Sequence, residues 1–146
     1  MKQLLDLDTF AKTLTDKGYD GYFHTQADYP DKIKNSISRF LEACENGTDK
    51  LYNPDRFLLN TYLEWNGEDK PYTQCHMYLK YEDNKFDVRK MEIERKDRYG
   101  HLMKKTELIN LTTGTVPTRK EAIALVSDTP KQKIPSQKEG LECDNP

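Results

Sequence analysis

Few residues in this sequence are of the types that carry out chemistry, and their spacing matches no common catalytic pattern. The chain has three histidines and three cysteines, which are His24, His76, His101, Cys44, Cys75 and Cys143. It lacks a Gly-rich phosphate loop, a His-Glu-x-x-His helix, a Cys-x-x-Cys pair and a Gly-x-Ser-x-Gly turn. These absences argue against nucleotide hydrolysis, zinc proteolysis and esterase chemistry. An enzyme assembled from scattered residues is a third-ranked hypothesis for function.

The histidines and cysteines do not favour a metal site. Cys75 and His76 are neighbours in a predicted strand, where successive side chains point to opposite faces, so they cannot both bind one ion. Cys75 is more simply explained as a small buried hydrophobic residue. Cys44 lies at the end of a predicted helix, away from the helix N-terminus that would activate a thiol. We therefore expect no metal, no cofactor and no cysteine nucleophile.

Tyrosine and basic residues indicate a binding surface instead. The predicted binding residues, which alternation or a turn places away from the core, are Tyr62, His76, Tyr78, Lys80, Lys90 and Arg98. Aromatic residues on an open sheet face can bury a large area at little entropic cost when a partner binds. The leading hypothesis is a small non-enzymatic binding or adaptor protein. It would contact a protein partner through an open sheet face or a basic hairpin.

The basic hairpin at residues 85–105 supports a second hypothesis, a nucleic-acid-binding accessory protein. This segment has eight basic and four acidic residues, although the whole chain has a net charge of −2. Lysines could follow a phosphate backbone while tyrosines stack on bases. However, Glu64, Glu92 and Glu94 would interrupt the positive field. Cross-strand charge pairing is the simpler interpretation of the segment.

The composition is typical of one small domain. The 146 residues are 33% charged and 35% hydrophobic, and no apolar run approaches the length of a membrane helix. An acidic residue at position 6 interrupts the start of the chain before a signal-peptide core can develop. We expect a soluble cytoplasmic protein with no membrane contact, and the sequence does not indicate its oligomeric state.

Apolar spacing predicts two helices in the first third of the chain. The first covers residues 7–17, and residues 18–24 form a tight connection or a short edge strand. The second helix begins near Asp28, Pro30 or Asp31 and ends at Gly47. Its apolar stripe consists of Ile33, Ile37, Phe40, Leu41 and Cys44.

From residue 56 to residue 110 the pattern alternates and predicts an antiparallel meander of three or four strands. The strands would cover residues 56–65, 72–81, 85–95 and 101–110, with a helix as the alternative for the last. The first would place Phe57, Leu59, Leu63 and Trp65 on the core face. In the third, the apolar parity changes near Arg89 and Lys90, which predicts a β-bulge there.

A short C-terminal helix at residues 118–127 is predicted by the capping-box spacing of Thr118 and Glu121. Residues 128–146 are poor in apolar side chains and predict a disordered tail. The predicted fold is therefore α+β, with two N-terminal helices on the meander, a short C-terminal helix and a tail. The domain would comprise residues 1–127, with the helices covering Leu59, Leu63, Cys75, Met77 and Leu79.

Overall fold

The computed structural model describes residues 4–25, 29–47 and 53–127 of the chain. They form a mixed α+β fold with an antiparallel sheet. Its elements in chain order are β1 (Leu5–Asp6), α1 (Leu7–Asp16), β2 (Phe23–His24), α2 (Ile33–Asn46), β3 (Leu58–Glu64), β4 (Tyr72–Glu82), β5 (Lys85–Lys96), β6 (Leu102–Ile109) and α3 (Arg119–Leu125). Two 3-10 turns, Pro54–Arg56 and Thr113–Thr115, precede β3 and follow β6.

Within the described residues the sheet has six strands, so the predicted arrangement of two helices on three or four strands does not match it. The strand order is β1-β5-β4-β3-β2, and β6 pairs with the same edge of β5 that receives β1. β6 lies along residues 90–96 of β5, whereas β1 lies along residues 85–86. The predicted meander corresponds to β3–β6. β1 was not predicted, because a strand of two residues shows no alternation in the sequence. β2 lies within residues 18–24, for which the sequence predicted a tight connection or a short edge strand.

The hydrophobic core lies between the helices and one face of the sheet, which we name the inner face. Phe10 and Leu14 of α1 and Ile37 and Phe40 of α2 are completely buried in it. The inner-face residues in the same core include Leu59, Leu63, Cys75, Met77, Leu79 and Ile93. Leu41, which the sequence placed on the apolar stripe of α2, is only partly buried at the margin of the core.

Of the three register shifts between the described strands, those in β5 opposite β4 and in β3 set which side chains reach the inner face. In β5, Lys90 pairs with Tyr78 and Val88 pairs with Leu79, so Arg89 is the additional residue, as predicted. A second register shift in β3, between Tyr62 and Glu64, was not predicted. One inserted residue reverses the alternation that follows it.

The bulge in β3 corrects the position predicted for Trp65. Beyond the bulge, Glu64 lies opposite Thr73, which is buried on the inner side, and accepts a hydrogen bond from Arg95 at 3.2 Å. Trp65 is therefore not in the core, and about half of its surface (51%) is exposed. The strand also begins later than predicted, because Arg56 belongs to the preceding 3-10 turn.

Other predicted boundaries are close to the observed ones. Gly47 ends α2 with a left-handed φ of 63°, and the residue that precedes α2 is Lys32, whose side chain makes no capping hydrogen bond. Residue 28, a predicted cap for this helix, lies outside the described residues, as does the predicted tail at residues 128–146. Residues 102–109 are a strand rather than a helix, and α3 has the predicted capping box of Thr118 and Glu121.

The end of α1 is joined to the segment that precedes α3. The Lys17 ammonium donates hydrogen bonds to the carbonyls of Gly114 (3.0 Å) and Val116 (2.7 Å). Gly18, which directly follows Lys17, adopts a φ of 101°. A Cβ added to Gly18 would lie 3.0 Å from the Cβ of Arg119. Glycine therefore permits both the turn and the close approach of α3.

Asp87 attaches the 3-10 turn at Thr113–Thr115 to β5. Its Oδ1 accepts hydrogen bonds from the backbone N–H and the hydroxyl of Thr113, both at 2.7 Å. The Thr113 hydroxyl oxygen in turn accepts from the backbone N–H of Val88 at 3.1 Å. Asp87 and Thr113 are both buried, and among the described residues Asp87 Oδ2 has no hydrogen-bond partner.

None of the helices in the described ranges has the length and apolar character needed to cross a membrane.

Candidate functional site

The sheet face opposite the core, which we name the outer face, carries five of the six predicted binding residues. Tyr62 lies on β3, while His76, Tyr78 and Lys80 alternate along β4. Lys90 of β5 lies directly opposite Tyr78, and its ammonium is 5.0 Å from the centre of the Tyr78 ring. The antiparallel register thus gathers these five side chains on one surface.

Arg98 lies apart from the other predicted binding residues. It follows the end of β5 in the turn to β6, eight positions beyond Lys90 along the chain. Its guanidinium donates a hydrogen bond to the hydroxyl of the neighbouring Tyr99 at 2.7 Å and lies over that ring. Arg98 is therefore exposed at the end of the hairpin and does not join the group around Tyr78.

Two glutamates on β5 organise the middle of the outer face. Glu92 lies 3.3 Å from the ammonium of Lys90 and 3.8 Å from that of Lys105. Glu94 lies 3.5 Å from the ammonium of Lys96 and 3.9 Å from that of Lys105. We name these five residues the glutamate–lysine network. Because each glutamate contacts two lysines, much of the predicted positive charge of the hairpin is compensated on this face.

A hydrogen bond connects this network to β4 and shifts the pKa values of Glu92 and Tyr78. The Tyr78 hydroxyl donates to Glu92 at 3.0 Å. Burial raises the pKa of Glu92, but the hydrogen bonds from Tyr78 and Lys90 and the charge of Lys105 outweigh it, so the pKa is lowered. Burial and the hydrogen bond to Glu92 raise the pKa of Tyr78. The tyrosine therefore remains a neutral donor to a charged carboxylate.

His76 bridges two neighbouring strands on the outer face. Its Nδ1 lies 2.5 Å from the amide oxygen of Asn60 on β3, and its Nε2 lies 3.2 Å from Glu94 on β5. An imidazole with acceptors at both nitrogens has its ring orientation fixed. His76 therefore stabilises the arrangement of β3, β4 and β5 at the centre of this face.

Three aromatic side chains form a cluster at one end of the outer face, which we name the aromatic patch: Tyr62, Trp65 and Tyr72. Their ring centres lie 5.0 Å (Tyr62–Trp65), 5.7 Å (Tyr62–Tyr72) and 5.6 Å (Trp65–Tyr72) apart. Tyr62 is 47% exposed, and Trp65 is exposed to a similar extent. The sequence placed Trp65 in the core and omitted Tyr72 from the predicted site. The Asn66-Gly67 turn directly after Trp65 was a signal that the strand, and hence its alternation, ends there.

Exposed aliphatic side chains continue the surface beyond the aromatic patch. Lys96 lies opposite Tyr72 on one side and opposite Leu102 on the other, so all three share the outer face. Leu102 and the adjacent Met103 each expose more than half of their surface. Apart from Lys96, the side chains named at this end of the face are aromatic or aliphatic, whereas those in its middle are charged.

The residues considered for catalysis or metal binding are distributed differently. Cys75 is fully buried on the inner face, as predicted, and burial raises the pKa of its thiol. Burial also raises the pKa of Cys44 at the end of α2. Within the described ranges, no three side chains of histidine, cysteine, aspartate or glutamate are grouped closely enough to hold a metal ion.

Comparisons of the chain with protein-family models, with curated proteins and with solved structures find no match.

Proposed function

We propose that this protein is a non-enzymatic binding protein whose outer face docks a protein partner. The observation that carries the proposal is the aromatic patch, in which Tyr62 and Trp65 are about half exposed on a face opposite the helices. Tyrosine and tryptophan are enriched among the residues that contribute most to protein–protein binding. Contiguous exposed apolar surface of this kind commonly marks an interaction site.

The charges of the outer face favour a protein partner over a nucleic acid. Lys90, Lys96 and Lys105 lie beside Glu92 and Glu94, and a phosphate backbone would have to approach these carboxylates. Nucleic-acid binding depends on lysines and arginines that release counterions from phosphates. A protein surface can instead match an apolar centre with a rim of mixed charge.

The remaining outer-face residues fit the rim of such an interface. His76 and Tyr78 are held in place by hydrogen bonds to Glu94 and Glu92, so they lose little side-chain entropy when a partner binds. Lys80 is exposed beside them. We propose that the aromatic patch supplies most of the binding free energy and that these neighbours supply complementarity.

Affinity capture from the native cell, followed by a binding measurement with the purified partner, tests the proposal. Trp65→Ala should weaken binding at least tenfold, since truncation of a central aromatic anchor costs about 2 kcal/mol or more. Tyr22→Ala is the matched control, because Tyr22 is 63% exposed and lies outside the aromatic patch. Both variants should unfold at nearly the wild-type temperature.

The salt dependence of the same binding reaction tests the partner class. We expect affinity to change little when the salt concentration is raised, because the contacts are mainly apolar. A steep loss of affinity with salt, together with capture of nucleic acid, would contradict the proposal. So would a stable Trp65→Ala variant that binds the captured protein normally.

A further inference from the structure

β6 is an edge strand with an open side. It is eight residues long and pairs with β5 on one side, and none of the other strands in the described ranges pairs with it. Residues 102–105 are all exposed, and Met103 and Ile109 each expose more than half of their surface. A long edge strand without proline presents backbone N–H and C=O groups that can pair with another strand.

The outer-face side chains of β6 follow from its pairing with β5. Lys105 lies opposite Glu94, Glu107 opposite Glu92, and Ile109 opposite Lys90. The register shift near Lys96 leaves Met103 as the additional residue beside Leu102, so it also lies toward the outer face. The outer-face side chains along β6 are therefore apolar (Met103), basic (Lys105), acidic (Glu107) and apolar (Ile109) in that order.

This pattern is complementary to itself in one antiparallel register. Two copies related by a two-fold axis at Thr106 place Lys105 of each copy opposite Glu107 of the other, and Met103 opposite Ile109. Among the central residues of β6, Lys104–Glu107, only Thr106 can lie opposite its own copy without bringing like charges together. Opposite charges that face each other across strands stabilise a sheet, whereas like charges destabilise it.

We propose that two copies of this protein associate through antiparallel pairing of their β6 strands, with Thr106 on the two-fold axis. The pairing would join the two sheets edge to edge and cover the backbone groups of the open edge. It would also bury Met103 and Ile109, which are exposed in the single chain. Self-complementary contacts of this kind are the general basis of two-fold dimers.

Analytical ultracentrifugation of the full chain in reducing buffer tests the proposal. The wild type should show a mass approaching twice 17.1 kDa as its concentration is raised. Glu107→Lys would place lysines opposite each other twice and should raise the dissociation constant roughly tenfold, about 1.4 kcal/mol. Glu82→Lys is the control, since it makes the same charge change on β4, away from the open edge.

A complementation experiment tests the register. Lys105→Glu alone should also weaken dimerisation, because it places glutamates opposite each other. An equimolar mixture of Lys105→Glu and Glu107→Lys should dimerise, since every lysine in the mixed pair then lies opposite a glutamate. Within one chain Lys105 also contacts Glu92, Glu94 and Glu107, so thermal unfolding of each variant is measured in parallel. Ile109→Lys is a further test that leaves Lys105 and Glu107 in place, and it too should weaken the dimer.

Two results would overturn the proposal: a wild type that stays monomeric at every concentration, or folded Glu107→Lys and Ile109→Lys variants that dimerise as well as the wild type. If the mixture of folded charge variants stays monomeric, the register centred on Thr106 is wrong.

Discussion

Replacing Asp87 with alanine should destabilise the fold more than any other single change of a polar residue on β5. Asp87 Oδ1 accepts two hydrogen bonds from Thr113, and both residues are buried. Alanine would leave the backbone N–H and the hydroxyl of Thr113 without this acceptor. Each unsatisfied buried group costs about 1–3 kcal/mol, so we expect the free energy of unfolding to fall by roughly 2–6 kcal/mol.

Two further variants separate the contributions within this contact. Asp87→Asn keeps an oxygen that can accept from the Thr113 N–H and should cost less than the alanine variant. Thr113→Val removes the hydroxyl that accepts a hydrogen bond from the Val88 N–H. This variant should lower the free energy of unfolding by about 1–3 kcal/mol. Because the residues are in direct contact, the double variant Asp87→Ala/Thr113→Val should lose less than the sum of the single losses.

Urea unfolding at equilibrium, followed by circular dichroism, measures these free energies. A loss below about 0.5 kcal/mol for Asp87→Ala is the range of an ordinary surface substitution and would refute the reasoning. Additive losses in the double variant would show that the two residues stabilise the fold independently.

Two other predictions follow from the core and from the outer face. Ile37→Ala should lower the free energy of unfolding by about 2–5 kcal/mol, because this side chain is completely buried. Leu41→Ala should lower it by only about 1–2 kcal/mol, because Leu41 is partly buried. Equal losses in urea unfolding would contradict the assigned face of α2. Since the pKa of Glu92 is lowered in the fold, its contribution to stability is present above its ordinary value of 4.5 and is lost as the pH falls below it. Thermal unfolding between neutral and acidic pH should therefore show a steeper loss for the wild type than for Glu92→Gln, and parallel curves would exclude this contribution.

Alternation in the sequence predicted the central strands well because these strands bury one face and expose the other. In β5, the change of parity around Arg89 was recognised as a bulge because apolar residues on both sides of it had to reach the same core. The bulge in β3 left no such signal. Only Glu64 and Trp65 follow it, and a tryptophan is compatible with either the core or an exposed aromatic patch.

The sequence did not reveal which charges compensate one another. Glu92 and Glu94 were recognised as interruptions of a basic segment, but their contacts with Lys90, Lys96 and Lys105 depend on the register of three strands. Likewise, β1 was missed because its two residues show no periodicity, and its pairing with β5 depends on a contact about 80 positions away in the chain. Features of this kind depend on tertiary structure.

The attachment of α1 to the segment before α3 has a consequence for folding during synthesis. Hydrogen bonds from Lys17 and Tyr19 reach residues 97 to 99 positions further along the chain. A ribosome must therefore release most of the described chain before the first helix gains these contacts. Phe10 on the apolar stripe of α1 also packs against Phe86 of β5, so this stripe is exposed to chaperones and to aggregation until β5 has emerged. The segment that precedes α3 thus completes the attachment of the first helix.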